Sequence, residues 1–149
     1  MLSSAIWIID RVKMKFNWSE YLDLAKELAG RKNINVSDEA KLRSSISRAY
    51  YASYCKLYSY LRDVEQDDSL PKGEEAHKGH IYVRNKFLDS NEEVRIQIGQ
   101  NLNRLLTHRI KADYYDNIFL TQIRSLSNLA QLNLWFAEDI ISKLETLKS

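Results

Sequence analysis

The sequence has one cysteine, one proline and four glycines in 149 residues. Average usage would supply about 18 prolines and glycines together, so this shortage argues against an all-β chain with its many tight turns. The single cysteine, Cys55, excludes an intramolecular disulfide, a cysteine-based zinc site and an iron–sulfur cluster. It also predicts a reducing, cytoplasmic compartment.

An excess of charge of one sign is also missing, because 22 lysines and arginines oppose 20 aspartates and glutamates, for a net charge of +2. This balance excludes a polybasic protein that binds nucleic acid with its whole surface, but it leaves room for a local basic patch. No stretch approaches the roughly 18–20 apolar residues of a membrane span, so we expect no membrane association. No glycine-rich phosphate loop of the Rossmann or P-loop type is present, and we expect no cofactor.

Apolar residues recur at helical spacing along nearly the whole chain. This pattern predicts an all-α fold, an up-and-down bundle of about five helices that forms a single domain over residues 1–149. We expect residues 1–16 to be an N-terminal extension. We expect residues 63–79 to be an exposed loop, because acidic residues, the proline and two glycines are concentrated there.

Three polar residues mark predicted helix starts. Asn17 and Ser90 are each followed three residues later by a glutamate, as in a capping box, and Ser37 precedes two acids. The fifth helix, about Leu120 to Leu147, should be the longest. Its apolar residues follow the three-four spacing of a bundle helix: Leu120, Ile123, Leu126, Ala130, Leu134, Ala137, Ile141 and Leu144.

The predicted second helix carries five tyrosines within eleven residues: Tyr50, Tyr51, Tyr54, Tyr58 and Tyr60. We interpret them as half-buried aromatics that pack on neighbouring helices. The alternative is a stacking surface for bases, with Arg48 and Tyr51 as candidate nucleic-acid contacts. His77 and His80 are three residues apart but lack an evident third ligand, so we interpret them as solvated loop histidines and expect no metal site.

A basic cluster lies at the end of the predicted fourth helix: Arg104, His108, Arg109 and Lys111. Cations are favoured there by the helix dipole. Continuing the apolar stripe of this helix places Arg109 on its buried face, where a guanidinium needs an acceptor. Asp113 one turn on, a ligand phosphate or a partner chain would each serve. Arg104 and His108 are one turn apart and could jointly hold an anion.

Three segments in a fixed order resemble the HEPN family of small prokaryotic helical domains. They are Ser47-Arg48-Ala49-Tyr50-Tyr51-Ala52, His80, and Arg109-x-x-Ala112-Asp113-Tyr114, and the resemblance covers roughly residues 17 to 147. It implies a bundle of about four or five helices, a homodimer, and motif roles for Tyr50 and Asp113. Many members of the family are ribonucleases or toxins of toxin–antitoxin and antiphage systems, often beside a nucleotidyltransferase partner.

The family's catalytic signature is an arginine followed, four to six intervening residues later, by a histidine, and paired sites across the dimer cleave RNA without metal. After Arg109 the corresponding residue here is Tyr114, which is a poorer general base at neutral pH. The two lie about 140° apart on an ideal helix, so we expect them to converge only if the helix ends between them. We expect RNA or nucleotide binding at a basic cleft formed with Arg104 and Lys111, and weak or absent ribonuclease activity.

Two alternatives remain open for the function. The first is an active, metal-independent endoribonuclease toxin that uses Arg109 together with His108. The second is a non-catalytic, dimeric protein-interaction module. For the dimer, we expect the interface to bury the end of the fourth helix, from Arg104 to Tyr115.

Overall fold

A computed structural model of the chain describes residues 15–117 and 123–148. All regular secondary structure in these residues is helical, which confirms the all-α prediction. In chain order, the elements are α1 (Glu20–Leu28), α2 (Asp38–Asp63), a 3-10 helix (Gly73–Lys78), α3 (Gly79–Leu88), α4 (Glu93–Tyr114) and α5 (Ile123–Lys148). Of the helices in the described ranges, none is long and apolar enough to cross a membrane.

The long helix α2 packs against both α4 and α5, and α3 packs against α4. Their facing side chains form one main core, to which the four helices contribute Tyr50, Leu57, Leu61, Val83, Phe87, Ile98, Leu102, Leu105, Phe136, Ile140 and Leu144. Burying a side chain of this size contributes about 1.5–3 kcal/mol relative to leaving it in water. A smaller cluster of Phe16, Leu24, Val36 and Ala40 holds α1 against the start of α2.

The predicted helix starts are correct in one case out of three. Ser37 caps α2, because its hydroxyl accepts a hydrogen bond from the backbone N–H of Ala40 at 3.1 Å. Asn17 instead accepts from the N–H of Ser19, two residues on, and α1 begins at Glu20. Ser90 likewise accepts from the N–H of Glu92, and α4 begins only at Glu93. Both residues form local turns before the helix, a use of Asn and Ser that competes with capping.

The described part of the fifth helix differs from its prediction in its buried face. Its described extent of 26 residues equals that of α2, and the predicted start at Leu120 lies outside the described residues. Leu134 is 37% exposed, so its assignment to the buried stripe is wrong. Asn133 and Phe136 are buried instead. The buried face of the helix follows positions 126, 130, 133, 137, 140 and 144, which leaves position 134 outside it.

The predicted N-terminal extension and the predicted exposed loop each contribute a buried side chain. Residues 1–14 of the predicted N-terminal extension lie outside the described residues, but Phe16 is buried against Arg43. The connection between α2 and α3 contains the 3-10 helix and buries Leu70 at 3% exposure. It is also held by a 2.9 Å ion pair between Glu65 and Arg95 of α4. The segment over residues 63–79 is thus exposed along most of its length, and Leu70 and the Glu65–Arg95 ion pair anchor it to the bundle.

Candidate functional site

Arg109 lies on the face of α4 that meets α2, with its side chain 15% exposed. Its Nε donates to Asp113 Oδ2 at 2.9 Å, and its Nη2 donates to the Tyr51 hydroxyl at 2.7 Å. The prediction that this guanidinium needs an acceptor such as Asp113 is confirmed. The third nitrogen, Nη1, has no hydrogen-bond partner among the described residues.

Three aromatic rings surround the Arg109 guanidinium. Its central carbon lies 5.1 Å from the ring centre of Tyr51 and 5.7 Å from those of Tyr50 and Tyr114. A cation held against aromatic faces is attracted by their negative π surfaces. The tyrosine-rich part of α2 therefore both packs the bundle, as predicted, and forms one wall of the Arg109 site.

Tyr114 lies beside Arg109 at the end of α4. α4 ends at Tyr114, and the next residue, Tyr115, has an extended backbone. The Tyr114 ring is 66% exposed and contacts the guanidinium from the solvent side. Both residues lie within α4, so the expectation that they converge only if the helix ends between them is wrong.

A buried arginine that the sequence analysis did not identify holds this terminus in place. Arg43 of α2 is fully buried, and its Nη1 donates to the carbonyl oxygens of Ala112 at 2.9 Å and Tyr115 at 2.7 Å. Its Nη2 donates to the carbonyl oxygen of Asp116 at 2.9 Å, and its Nε pairs with Glu39. The last carbonyls of α4 have no partners within the helix, and here a cation supplies them.

The signal for Arg43 was present in the sequence. It stands three residues before Ile46 and seven before Tyr50, so helical spacing places it on the same face of the second helix as these two large side chains. The same reasoning that placed Arg109 on a buried face applies to Arg43. The sequence could not identify the hydrogen-bond acceptors of Arg43, because they lie about 70 residues further along the chain.

His80 was interpreted as a solvated loop histidine, and this interpretation is wrong. It lies in the first turn of α3, and its ring stacks on Tyr54 with centres 4.3 Å apart. Its Nδ1 lies 2.5 Å from the hydroxyl oxygen of Tyr50. Burial first, and the charge of Arg109 second, lower the pKa of His80. His77, on the preceding 3-10 helix, is exposed as expected.

Asp113 connects the Arg109 site to a groove between α1 and α2. Its Oδ2 accepts from the Ser47 hydroxyl at 3.2 Å as well as from Arg109. The groove has a volume of about 200 Å³ and is lined by Tyr21, Leu24, Ala25, Leu28, Ser44, Ser47, Arg48 and Asp113. Arg48, which also lines the groove, is exposed.

Two of the remaining basic residues of the predicted cluster, His108 and Arg104, have partners elsewhere. His108 places Nδ1 at 3.1 Å from Asn133 Oδ1 of α5, and burial lowers its pKa. Arg104 donates to Asn101 and lies over the ring of Phe136, and Lys111 is half-buried. The structure therefore brings Arg109, Tyr51, Tyr114 and Asp113 together, but it does not bring His108 to Arg109.

No group of three His, Cys, Asp or Glu side chains within residues 15–117 and 123–148 is placed to hold a metal ion. No family model and no solved structure matches the chain. The chain is 26% identical over 119 residues, 78% of its length, to the uncharacterized protein MJ0992 of Methanocaldococcus jannaschii. The matched part covers 57% of that protein. This similarity identifies a distant archaeal relative.

Proposed function

We propose that this chain is a HEPN-like protein of prokaryotic toxin–antitoxin or defence type that binds RNA or a nucleotide at Arg109. Three features support the proposal: the ordered sequence segments, the all-helical bundle and the position of Arg109 at the end of α4. A ligand phosphate would lie against the guanidinium, at the surface between α2 and α4.

The observation that carries the proposal is the set of unused donors around Arg109. Nη1 of Arg109 has no acceptor in the described part of the chain, and the Tyr51 hydroxyl accepts from Nη2 and retains its own proton for an outside acceptor. The exposed ring of Tyr114 lies beside them. Donors for a phosphate next to an exposed aromatic face suit a nucleotide unit, whose base can stack on that face.

We propose that ribonuclease activity is weak or absent. The family signature would place a histidine where Tyr114 stands, and a tyrosine is mostly protonated at neutral pH. His108, the alternative partner, bonds to Asn133 on the α5 side of the helix. Asp113, the carboxylate of the site, is engaged by Arg109 and Ser47. The geometry thus favours binding over cleavage.

RNA binding by matched arginine variants tests this proposal. Arg109→Ala should weaken binding of a single-stranded oligonucleotide by roughly tenfold or more, the typical loss of one charge-assisted hydrogen bond. Arg62→Ala is the matched control, because it removes the same charge from an exposed position on α2, about 16 Å along the helix from Tyr51. Equal affinity of the two variants would contradict a site at Arg109.

A protein-interaction role for the same end of α4 has separate support. Three large apolar side chains are exposed there: Ile110 at 38%, Tyr114 at 66% and Tyr115 at 51%. A homodimer that covers them, or a nucleotidyltransferase antitoxin that does so, would bury this surface. Light scattering of the wild type and of Ile110→Lys tests the dimer, since a charge in the interface should shift the population to monomer.

A further inference from the structure

A second polar side chain reaches the Arg109 site from α3. His80 stacks on Tyr54 and lies edge-on to Tyr51, with ring centres 6.2 Å apart. Its Nδ1 is bonded to the hydroxyl of Tyr50. The opposite nitrogen, Nε2, has no partner among the described residues. Because none of the fully buried side-chain nitrogens and oxygens in those residues lacks a partner, Nε2 reaches solvent.

The Tyr50 hydroxyl determines which nitrogen of His80 carries the proton. Tyr50 is fully buried, and within the described ranges its hydroxyl meets no hydrogen-bonding group other than His80 Nδ1. A proton on Nδ1 would leave the hydroxyl proton buried without an acceptor, which is costly. The hydroxyl therefore donates to Nδ1, and the neutral imidazole carries its proton on Nε2.

The charge state of both groups is consistent with this arrangement. Burial raises the pKa of the Tyr50 hydroxyl, so it keeps its proton at any physiological pH. Burial and the nearby charge of Arg109 lower the pKa of His80, so the ring is neutral at pH 7. A neutral imidazole with its proton on Nε2 donates from that nitrogen and cannot accept a proton there.

We infer that His80 binds a phosphate oxygen of the ligand by donating from Nε2, and that it is not a general base. This inference rests on the proposed function. Nε2 of His80, Nη1 of Arg109 and the hydroxyl of Tyr51 are three donors from three different helices. Tyr51 links them, because its ring centre lies 6.2 Å from that of His80 and its hydroxyl accepts from Arg109. A phosphate group, which offers acceptors in several directions, matches such a set of donors.

The tautomer is tested in the protein without ligand. Long-range proton–nitrogen NMR at neutral pH should show His80 with Nδ1 unprotonated and Nε2 protonated. In Tyr50→Phe, which removes the hydroxyl, this strong preference should be lost, whereas His77 should be unchanged. A wild-type protein with the proton on Nδ1, or with an even mixture of tautomers, would overturn the inference.

The ligand contact is tested with a short oligouridylate. Its addition to the wild type should shift the Nε2 resonance of His80. His80→Phe, which keeps an aromatic ring on Tyr54, should weaken binding by roughly tenfold. The matched control, His77→Phe, should bind as the wild type does. If His80→Phe fails to fold, two other measurements decide the question. The Nε2 resonance of the wild type should shift when the oligouridylate is added, and Tyr50→Phe should bind the oligouridylate more weakly than the wild type.

The outcomes separate the inference from the function on which it rests. If Arg109→Ala loses the oligonucleotide while His80→Phe binds normally, the role of His80 is refuted and the RNA site stands. The inference also fails if the Nε2 resonance stays unchanged at saturation. If the wild type binds no oligouridylate and no mononucleotide at low salt, both the proposed function and the role of His80 fall.

Discussion

Gly79→Ala should destabilise the protein, and Tyr54→Phe should reverse that effect. A Cβ at position 79 would lie inside the van der Waals contact of the Tyr54 hydroxyl oxygen, while the next nearest atoms, Cζ of Tyr54 and Cε2 of Tyr58, are at ordinary contact distances of 3.5 and 3.6 Å. The backbone of Gly79 is helical, with φ of −61°, so alanine meets no backbone strain there. The clash with one hydroxyl is the whole penalty.

Two opposing contributions set the expected size of the effect. Overpacking of this kind costs about 1–3 kcal/mol, because the Tyr54 ring is stacked on His80 and cannot swing away freely. Alanine in place of glycine in a helix gains about 0.5–1 kcal/mol. Gly79→Ala should therefore lower the free energy of unfolding by about 0.5–2 kcal/mol. In Tyr54→Phe, which lacks the hydroxyl, the same change should raise that free energy by about 0.5–1 kcal/mol.

Urea denaturation of the four proteins of this double-mutant cycle measures both values and their coupling. Gly99→Ala provides a control, since its Cβ would lie 2.7 Å from the backbone nitrogen of Leu88 and a change at Tyr54 cannot relieve that clash. A loss of stability from Gly79→Ala that is the same with and without the Tyr54 hydroxyl would refute the packing of Tyr54 against the start of α3.

Three further predictions follow from the site. Arg43→Met should lower the free energy of unfolding by about 1–3 kcal/mol. The carbonyl of Tyr115 loses its donor, and those of Ala112 and Asp116 keep only the Tyr21 hydroxyl and the Phe16 N–H. Arg43→Lys should recover part of this loss in urea melts. Tyr114→His should create RNA cleavage that leaves a cyclic phosphate end, since a positioned acid–base group is worth ~10²–10⁴ in rate. Adding Arg109→Ala should abolish that cleavage. A Tyr114→His variant that binds RNA but cleaves it no faster than the wild type would contradict this prediction. The pKa values of His80 and His108 are lower in the folded protein than in the unfolded chain. As the pH drops below about 6.5, the unfolded chain therefore binds protons first, and the melting temperature should fall.

The sequence predicted the helical elements well because their signal is local. The buried stripe of α2 follows from spacing alone, and it includes Ile46, Tyr50, Leu57 and Leu61, all fully buried. Spacing also placed Arg109 on the buried face of α4, with the carboxylate of Asp113 one turn further on to pair with it. Such contacts lie within one or two turns of a helix, so the pattern of residues determines them.

The contacts that the sequence missed join distant parts of the chain. His80 looks like a loop residue because two glycines and a proline lie near it, yet Tyr50 and Tyr54, some 30 residues earlier, hold it in the bundle. Arg43 reaches carbonyls about 70 residues away. A residue's local pattern indicates that it is buried, but the packing of helices decides its partner.

The pairing of Arg109 with Asp113 has a consequence for how a phosphate would be bound. The carboxylate compensates the guanidinium charge locally, so the site offers little net positive charge apart from Arg48 across the groove. Attraction to a phosphate must then come mainly from the geometry of the free donors. Binding at such a site releases few counterions, so we expect a salt dependence equivalent to about one or two phosphate contacts. A steeper dependence, typical of an extended basic surface, would place the RNA on the lysines and arginines outside this site.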